Sequence, residues 1–129
     1  MILALRTDKP DAELYLYDDE KRVDSITWLA HRQLSDTLLS QIETLLTKNK
    51  LSLPDLTGII VYLGPGSFTG LRIGITVANT LAYSLNIPNA GAEGEDWIEP
   101  ALAKLKTTAD ASTLMPEYGS EAHITLPRK

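Results

Sequence analysis

The sequence predicts a single α/β domain with the element order βββαβα, followed by a short final strand and a C-terminal helix. Three observations lead there. Short strand-like segments crowd the first 28 residues, an amphipathic helical pattern follows them, and a dense apolar run (LTGIIVYL, residues 56–63) passes through a glycine-rich stretch into a second long helical pattern.

The first strand is expected over residues 2–5. The second lies over 13–17, where Leu14 and Leu16 face one side and Tyr15 and Tyr17 the other. The acidic stretch at 18–21 turns the chain into a third strand over 23–28, so the three form an antiparallel meander. A helix is predicted over 32–48. Leu34, Leu38, Leu39, Ile42, Leu45 and Leu46 share one arc of its wheel, and Lys48 and Lys50 suit the negative end of its dipole. Residues 56–63 read as a buried strand. The next helix begins inside residues 64–72 and runs to Leu85, with Asn86 and Pro88 ending it. A short strand over 87–91 and a helix over 95–106 close the domain. Pro100 fits best if the regular part of that helix starts close to it. Residues 1–106 thus form one lobe, and residues 107–129, polar and rich in small side chains, are expected to be a loosely held tail.

Composition narrows the function. The chain has 129 residues, of which 43% are hydrophobic and 22% charged, ordinary values for one globular domain. No apolar run approaches the roughly 20 residues of a membrane span, and MILALRTD does not read as a secretory leader, so the expected location is the cytoplasm. The absence of cysteine excludes disulfides, thiolate metal sites and a cysteine nucleophile. A net charge of −5 without a dense basic run argues against an independent grip on nucleic acid, whose phosphates reward a basic face. His31 and His123 stand alone, without a carboxylate cluster to make a metal site. Ser67 has no base to activate it. No catalytic, cofactor or metal residue is therefore assigned.

The most informative stretch is GPGSFTGLR: Gly64, Pro65, Gly66, Ser67, Phe68, Thr69, Gly70, Leu71 and Arg72. Its glycines admit backbone angles closed to other residues, and Ser67 or Thr69 can cap the helix. It reads either as a tight strand-to-helix turn or as an anion cradle of free N–H groups. It is neither a Walker loop nor a dinucleotide fingerprint. In the helix beyond it, Gly70, Gly74, Ala78 and Ala82 make a stripe of small side chains, leaving Arg72, Thr76, Asn79 and Tyr83 as the polar face. Glycine inside a helix costs roughly 1 kcal/mol relative to alanine, so Gly74 implies close approach of another element. That element is either the chain's own sheet or a helix of another subunit.

The run from Gly64 to Gly74, the small-residue helix and the following NIP closely resemble the signature of the TsaB (YeaZ) family. MILALRT, the segment around His31 and LSLPDLTGIIVYLGPGSFTG resemble the same family, and the likeness covers residues 1–92. It implies one lobe of the actin-like, Hsp70-like (ribonuclease H-like) fold. It implies a non-catalytic scaffold that pairs with a TsaD homologue for threonylcarbamoyl transfer to adenosine 37 of ANN-decoding tRNAs. A TsaE-type ATPase would join through the complex, and tRNA would be met only indirectly. Pairing through the two lobe helices would place Leu38, Ile42, Leu45, Gly70, Leu71, Gly74, Val77, Ala78 and Leu81 at the subunit interface. Two features depart from the family. Arg6 stands before Thr7 where an Asp-Thr pair is usual, which makes independent ATP chemistry less expected. The second lobe is also expected to be largely missing, while residues 116–125 resemble a family C-terminus. The competing readings are a homodimeric binding module and a small phosphate-using enzyme or peptidase of the same superfamily.

Overall fold

The structure is a computed structural model and describes residues 1–116. Strands β1 (Ile2–Arg6), β2 (Asp11–Asp18), β3 (Lys21–Leu29), β4 (Gly58–Gly64) and β5 (Asn89–Glu93) form one sheet of order β3-β2-β1-β4-β5. The β1–β2 and β2–β3 pairs are antiparallel, and β1–β4 and β4–β5 are parallel. Helices α1 (Leu34–Lys48), α2 (Phe68–Leu85) and α3 (Ile98–Lys106) complete the expected order, that of a single actin-like lobe.

The sheet is half meander and half crossover for a reason visible in its connections. A two-residue turn joins β2 to β3, with Asp19 at φ 62°, a conformation aspartate tolerates. The parallel pairs need longer crossovers, which α1 and α2 supply.

Register divides the side chains between two faces, because directly paired residues share a face. Leu3, Leu5, Leu14, Leu16, Ile59 and Val61 lie beneath α1 and α2, and all six are buried. On this side the Trp28 indole N–H donates to Thr37 Oγ1 of α1 at 3.0 Å. The opposite face carries Ala4, Arg6, Tyr15, Ile60 and Tyr62. There α3 covers β4 and β5, and Leu105 packs where Gly58 has no side chain.

Several boundaries move from those read in the sequence. A 3-10 turn, His31–Gln33, precedes α1, so the regular helix starts at Leu34. The last strand begins at Asn89 rather than residue 87. Asn86 takes the left-handed conformation at φ 58°, and the Ile87 N–H returns to Ala82 O, so residues 86–88 belong to the helix exit. Helix α3 starts at Ile98, which puts Pro100 in its first turn, where a missing N–H costs no helical bond. Part of the expected loose tail is held: Ser112 and Leu114 are hydrogen-bonded to Asn89 and Asn79. His123 and all of the family-like C-terminal stretch beyond Pro116 lie outside the described residues.

Candidate functional site

The glycine-rich stretch joins the end of β4 to the start of α2. Ser67 caps α2 by accepting from the Gly70 N–H, at 3.4 Å. The Tyr62 hydroxyl donates to Pro65 O at 2.7 Å, and the Gly94 N–H donates to Gly64 O at 3.0 Å. Burial raises the Tyr62 pKa and keeps the hydroxyl available as a donor.

Under the loop lies a buried polar group at the end of β1. Arg6 Nε donates to Asp8 Oδ1 at 2.8 Å, and a second guanidinium nitrogen reaches Asp8 Oδ2 at 3.4 Å. The guanidinium lies 3.9 Å from the centre of the Tyr62 ring and also reaches the exposed Glu95 at 3.4 Å. Burial works against the Arg6 charge, but Asp8 and then Glu95 outweigh it and hold the pKa above its ordinary value. A Cβ on Gly66 would sit 2.5 Å from that of Asp8, so only glycine lets the loop settle this low. The stretch is thus fastened to β1 as a braced turn. Beside it is a cleft of about 370 Å³ whose lining includes Asp8, Lys9, His31, Arg32, Ser67 and Thr69. Among the described residues no three His, Cys, Asp or Glu side chains group so as to hold a metal ion.

The small-residue stripe of α2 faces this same strand end. A Cβ on Gly74 would lie 2.1 Å from Thr7 Oγ1, and one on Gly70 would lie 2.1 Å from Thr7 O. Thr7 is buried, and its hydroxyl donates to Gly70 O at 2.7 Å. The close approach that the sequence demands is therefore between α2 and its own sheet.

Most of the residues expected at the interface from the sequence lie in the chain's own core. Leu38, Ile42, Leu45, Leu71 and Ala78 are fully buried in the chain's own core; Gly74 is buried with them, and Leu81 is 9% exposed. The physical reason is that α1 and α2 share one face of the sheet, which consumes the centre of both apolar arcs. Gly70 and Val77 remain half-buried.

The outward edges of the two arcs carry the open surface. A cleft of about 360 Å³ is lined by Ser35 of α1 and by Phe68, Thr69, Arg72, Ile73, Thr76 and Val77 of α2. Phe68 is 54% exposed, and the Arg72 guanidinium lies 5.5 Å from its ring centre. On α1, Leu39 is 51% exposed. Ile73, Thr76 and Leu39 were not singled out as interface residues from the sequence. The available signal was the width of the arcs, whose margins no single sheet face can cover.

Comparison with known proteins gives a consistent result. Residues 28–93 match the family model described as TsaD, tRNA N6-adenosine threonylcarbamoyltransferase. The chain is 41% identical over 73 residues to the tRNA threonylcarbamoyladenosine biosynthesis protein TsaB of Bacillus subtilis, covering 57% of this chain and 31% of that protein. With the TsaB protein of Escherichia coli it shares 34% over 90 residues, 70% of this chain and 38% of the relative. The structure of YeaZ from Pseudomonas aeruginosa superposes with a TM-score of 0.66 at 29% identity, over 71% of this chain and 43% of that one. The chain thus spans less than half the length of each of these relatives.

Proposed function

Because the chain belongs to the TsaB (YeaZ) family, within the reach of the tRNA N6-adenosine threonylcarbamoyltransferase family model, we propose that it serves tRNA threonylcarbamoyladenosine biosynthesis as a pairing subunit. In this reading it joins a TsaD homologue through the outer edges of α1 and α2. The observation that carries the reading is the cleft bordered by Phe68, Ile73 and Val77, together with the exposed Leu39 on the neighbouring helix. Apolar side chains standing out beside a groove on two adjacent helices fit a helical partner laid along them.

The same reading makes the chain a non-catalytic partner that acts in the cytoplasm and meets a TsaE-type ATPase only through the complex. The fastening of Arg6 to Asp8 supports the first point: the two charges at the end of β1 are engaged with each other inside the chain. A net charge of −5 supports contact with tRNA through the partner.

The test is co-purification and titration of the chain with its source organism's TsaD homologue, comparing the native chain with Phe68→Glu and Leu39→Glu. Both positions are exposed, so melting should shift little. Pairing should weaken by at least about 10-fold in each, since apolar anchors carry most interface energy. Unchanged pairing in both variants would reject this surface. Pairing of two copies of the chain with no affinity for the TsaD homologue would replace the reading with a homodimer.

A further inference from the structure

Beyond α3 the chain crosses back over the sheet edge and lies along α2. Two asparagines hold it there. Asn89 of β5, 1% exposed, receives the Ser112 N–H on Oδ1 at 2.7 Å and donates to Ser112 O at 2.9 Å. Asn79 of α2 treats Leu114 the same way, receiving its N–H at 3.1 Å and donating to its carbonyl at 3.0 Å. Asn89 Nδ2 also donates to Asn79 Oδ1 at 3.0 Å, which ties the two amides together. Each side-chain amide offers one donor and one acceptor to alternate residues of an extended segment, as a neighbouring strand would.

Beyond these bonds, residues 111–116 are held by two half-buried apolar side chains, Ala111 and Leu114, which pack against the edge of the core. Among the described residues, no backbone-to-backbone hydrogen bond involves residues 109–116. The segment does not seal against the helix: a gap of about 300 Å³ remains between Arg72, Ile75, Thr76 and Asn79 and residues 113–116. Met115 is 70% exposed. Ser112, Thr113 and Met115 are exposed, and shallow burial with few backbone hydrogen bonds marks an element that opens before the rest of a domain. Arg72 and Thr76 line both this gap and the cleft bordered by Phe68. The segment therefore stands at the margin of the surface assigned to the partner.

We propose that residues 111–116 form a detachable strap, clasped by Asn79 and Asn89, which masks the β5-side flank of α2 and opens to enlarge the partner surface. The inference rests on the pairing function proposed above and adds its regulation. A partner helix that reaches across Arg72 and Thr76 meets the strap, so pairing and strap closure compete for α2. The open form is then the one that binds best, and its population sets the apparent affinity.

Hydrogen exchange on the full chain, with and without the TsaD homologue, tests the idea. The Ser112 and Leu114 amides should exchange about 100-fold or more faster than that of Val61 in the central strand, because they open locally. They should exchange faster still when the partner is bound. Asn79→Ala removes one clasp and should tighten pairing, by up to about 10-fold if the closed form predominates. Leu114→Pro removes the donated N–H from the strap side and should act alike, so a folding defect in the helix variant does not decide the matter. Exchange of the two amides only with global unfolding would overturn the proposal. So would a freely exchanging strap whose release leaves pairing unchanged or weaker. Binding by neither native nor variant chain would reject the pairing function itself, and the masking with it.

Discussion

The guanidinium of Arg6 is enclosed by Asp8, the Tyr62 ring and Glu95, and the charge it places under the glycine-rich turn is matched within the chain. The side chains of Arg6 and Asp8 are 7% and 6% exposed, so removing one leaves the other buried without its counter-charge. Arg6→Ala should therefore cost about 3–5 kcal/mol in urea unfolding. The double variant Arg6→Ala/Asp8→Ala should cost less than Arg6→Ala alone, because no orphaned carboxylate remains. An equal or larger loss in the double variant would show that Arg6 matters through packing on Tyr62 instead. Glu95 contributes little by comparison, since its side chain is 86% exposed and the pair is screened. Gly74 makes a second residue-scale prediction. The Thr7 hydroxyl that a new Cβ would strike is fixed by its bond to Gly70 O and cannot swing aside without losing it. Gly74→Ala should destabilise by about 1–3 kcal/mol through overpacking, despite alanine's better helix propensity. Adding Thr7→Ala should recover part of the loss, and strict additivity of the two changes would reject the contact as its cause.

At the scale of elements, the order and kind of the five strands and three α-helices among the described residues were legible because each apolar pattern has one period and a boundary signal. Alternation in β2 separates Leu14 and Leu16 from Tyr15 and Tyr17, and the register places those pairs on opposite faces. Ends moved where capping chemistry took over, as at Asn86, whose left-handed conformation delays β5. The site was legible only in part. Periodicity shows that an arc of α1 is apolar, but it does not say which part meets the sheet and which part stays outside. The ridge of Leu38, Ile42 and Leu45 therefore looked available to a partner, although it is fully buried, while Leu39 on the margin is half exposed. The stripe of Gly70 and Gly74 announced close approach, yet the partner it approaches, Thr7, lies more than sixty residues away in the chain. The clasp of Asn79 and Asn89 carried no local signal at all. Its meaning arises only when α2, β5 and residues 112–114 are brought together.

Across the whole molecule, the two sides of the sheet are unequal. Two helices cover one face, whereas α3 lies mainly on β4 and β5 of the other, and the outer face of β2 there carries Glu13 and Tyr15. There the Tyr15 hydroxyl donates to Glu13 Oε1 at 2.6 Å, Lys9 pairs with Glu13 at 3.0 Å, and Arg22 lies 4.6 Å from the Tyr15 ring centre. One hydrogen bond on this face links the acid and alkaline limits of the fold. Partial burial raises the pKa of Glu13, but the bonds from Tyr15 and Lys9 prevail and hold it below the ordinary 4.5. A carboxylate with a depressed folded pKa contributes stability that is present above its unfolded value and lost as pH falls through the folded one. Tyr15 shifts the other way: burial first, then the carboxylate of Glu13, push it from 10.0 up to about 12. Its contribution is complete below pH 10.0 and disappears as pH rises through about 12. Tyr15→Phe keeps the ring against the sheet and removes only the hydroxyl. The variant should therefore flatten both limbs of a plot of unfolding free energy against pH, the acid limb below 4.5 and the alkaline limb between 10.0 and about 12. Glu13→Gln should flatten the acid limb by removing the titrating group, and it should reduce the alkaline limb by removing the charge that opposes tyrosinate. If Tyr15→Phe alters the alkaline limb while leaving the acid limb intact, the cations Lys9 and Arg6 depress Glu13 without it, and the hydroxyl bond does not couple the two limits.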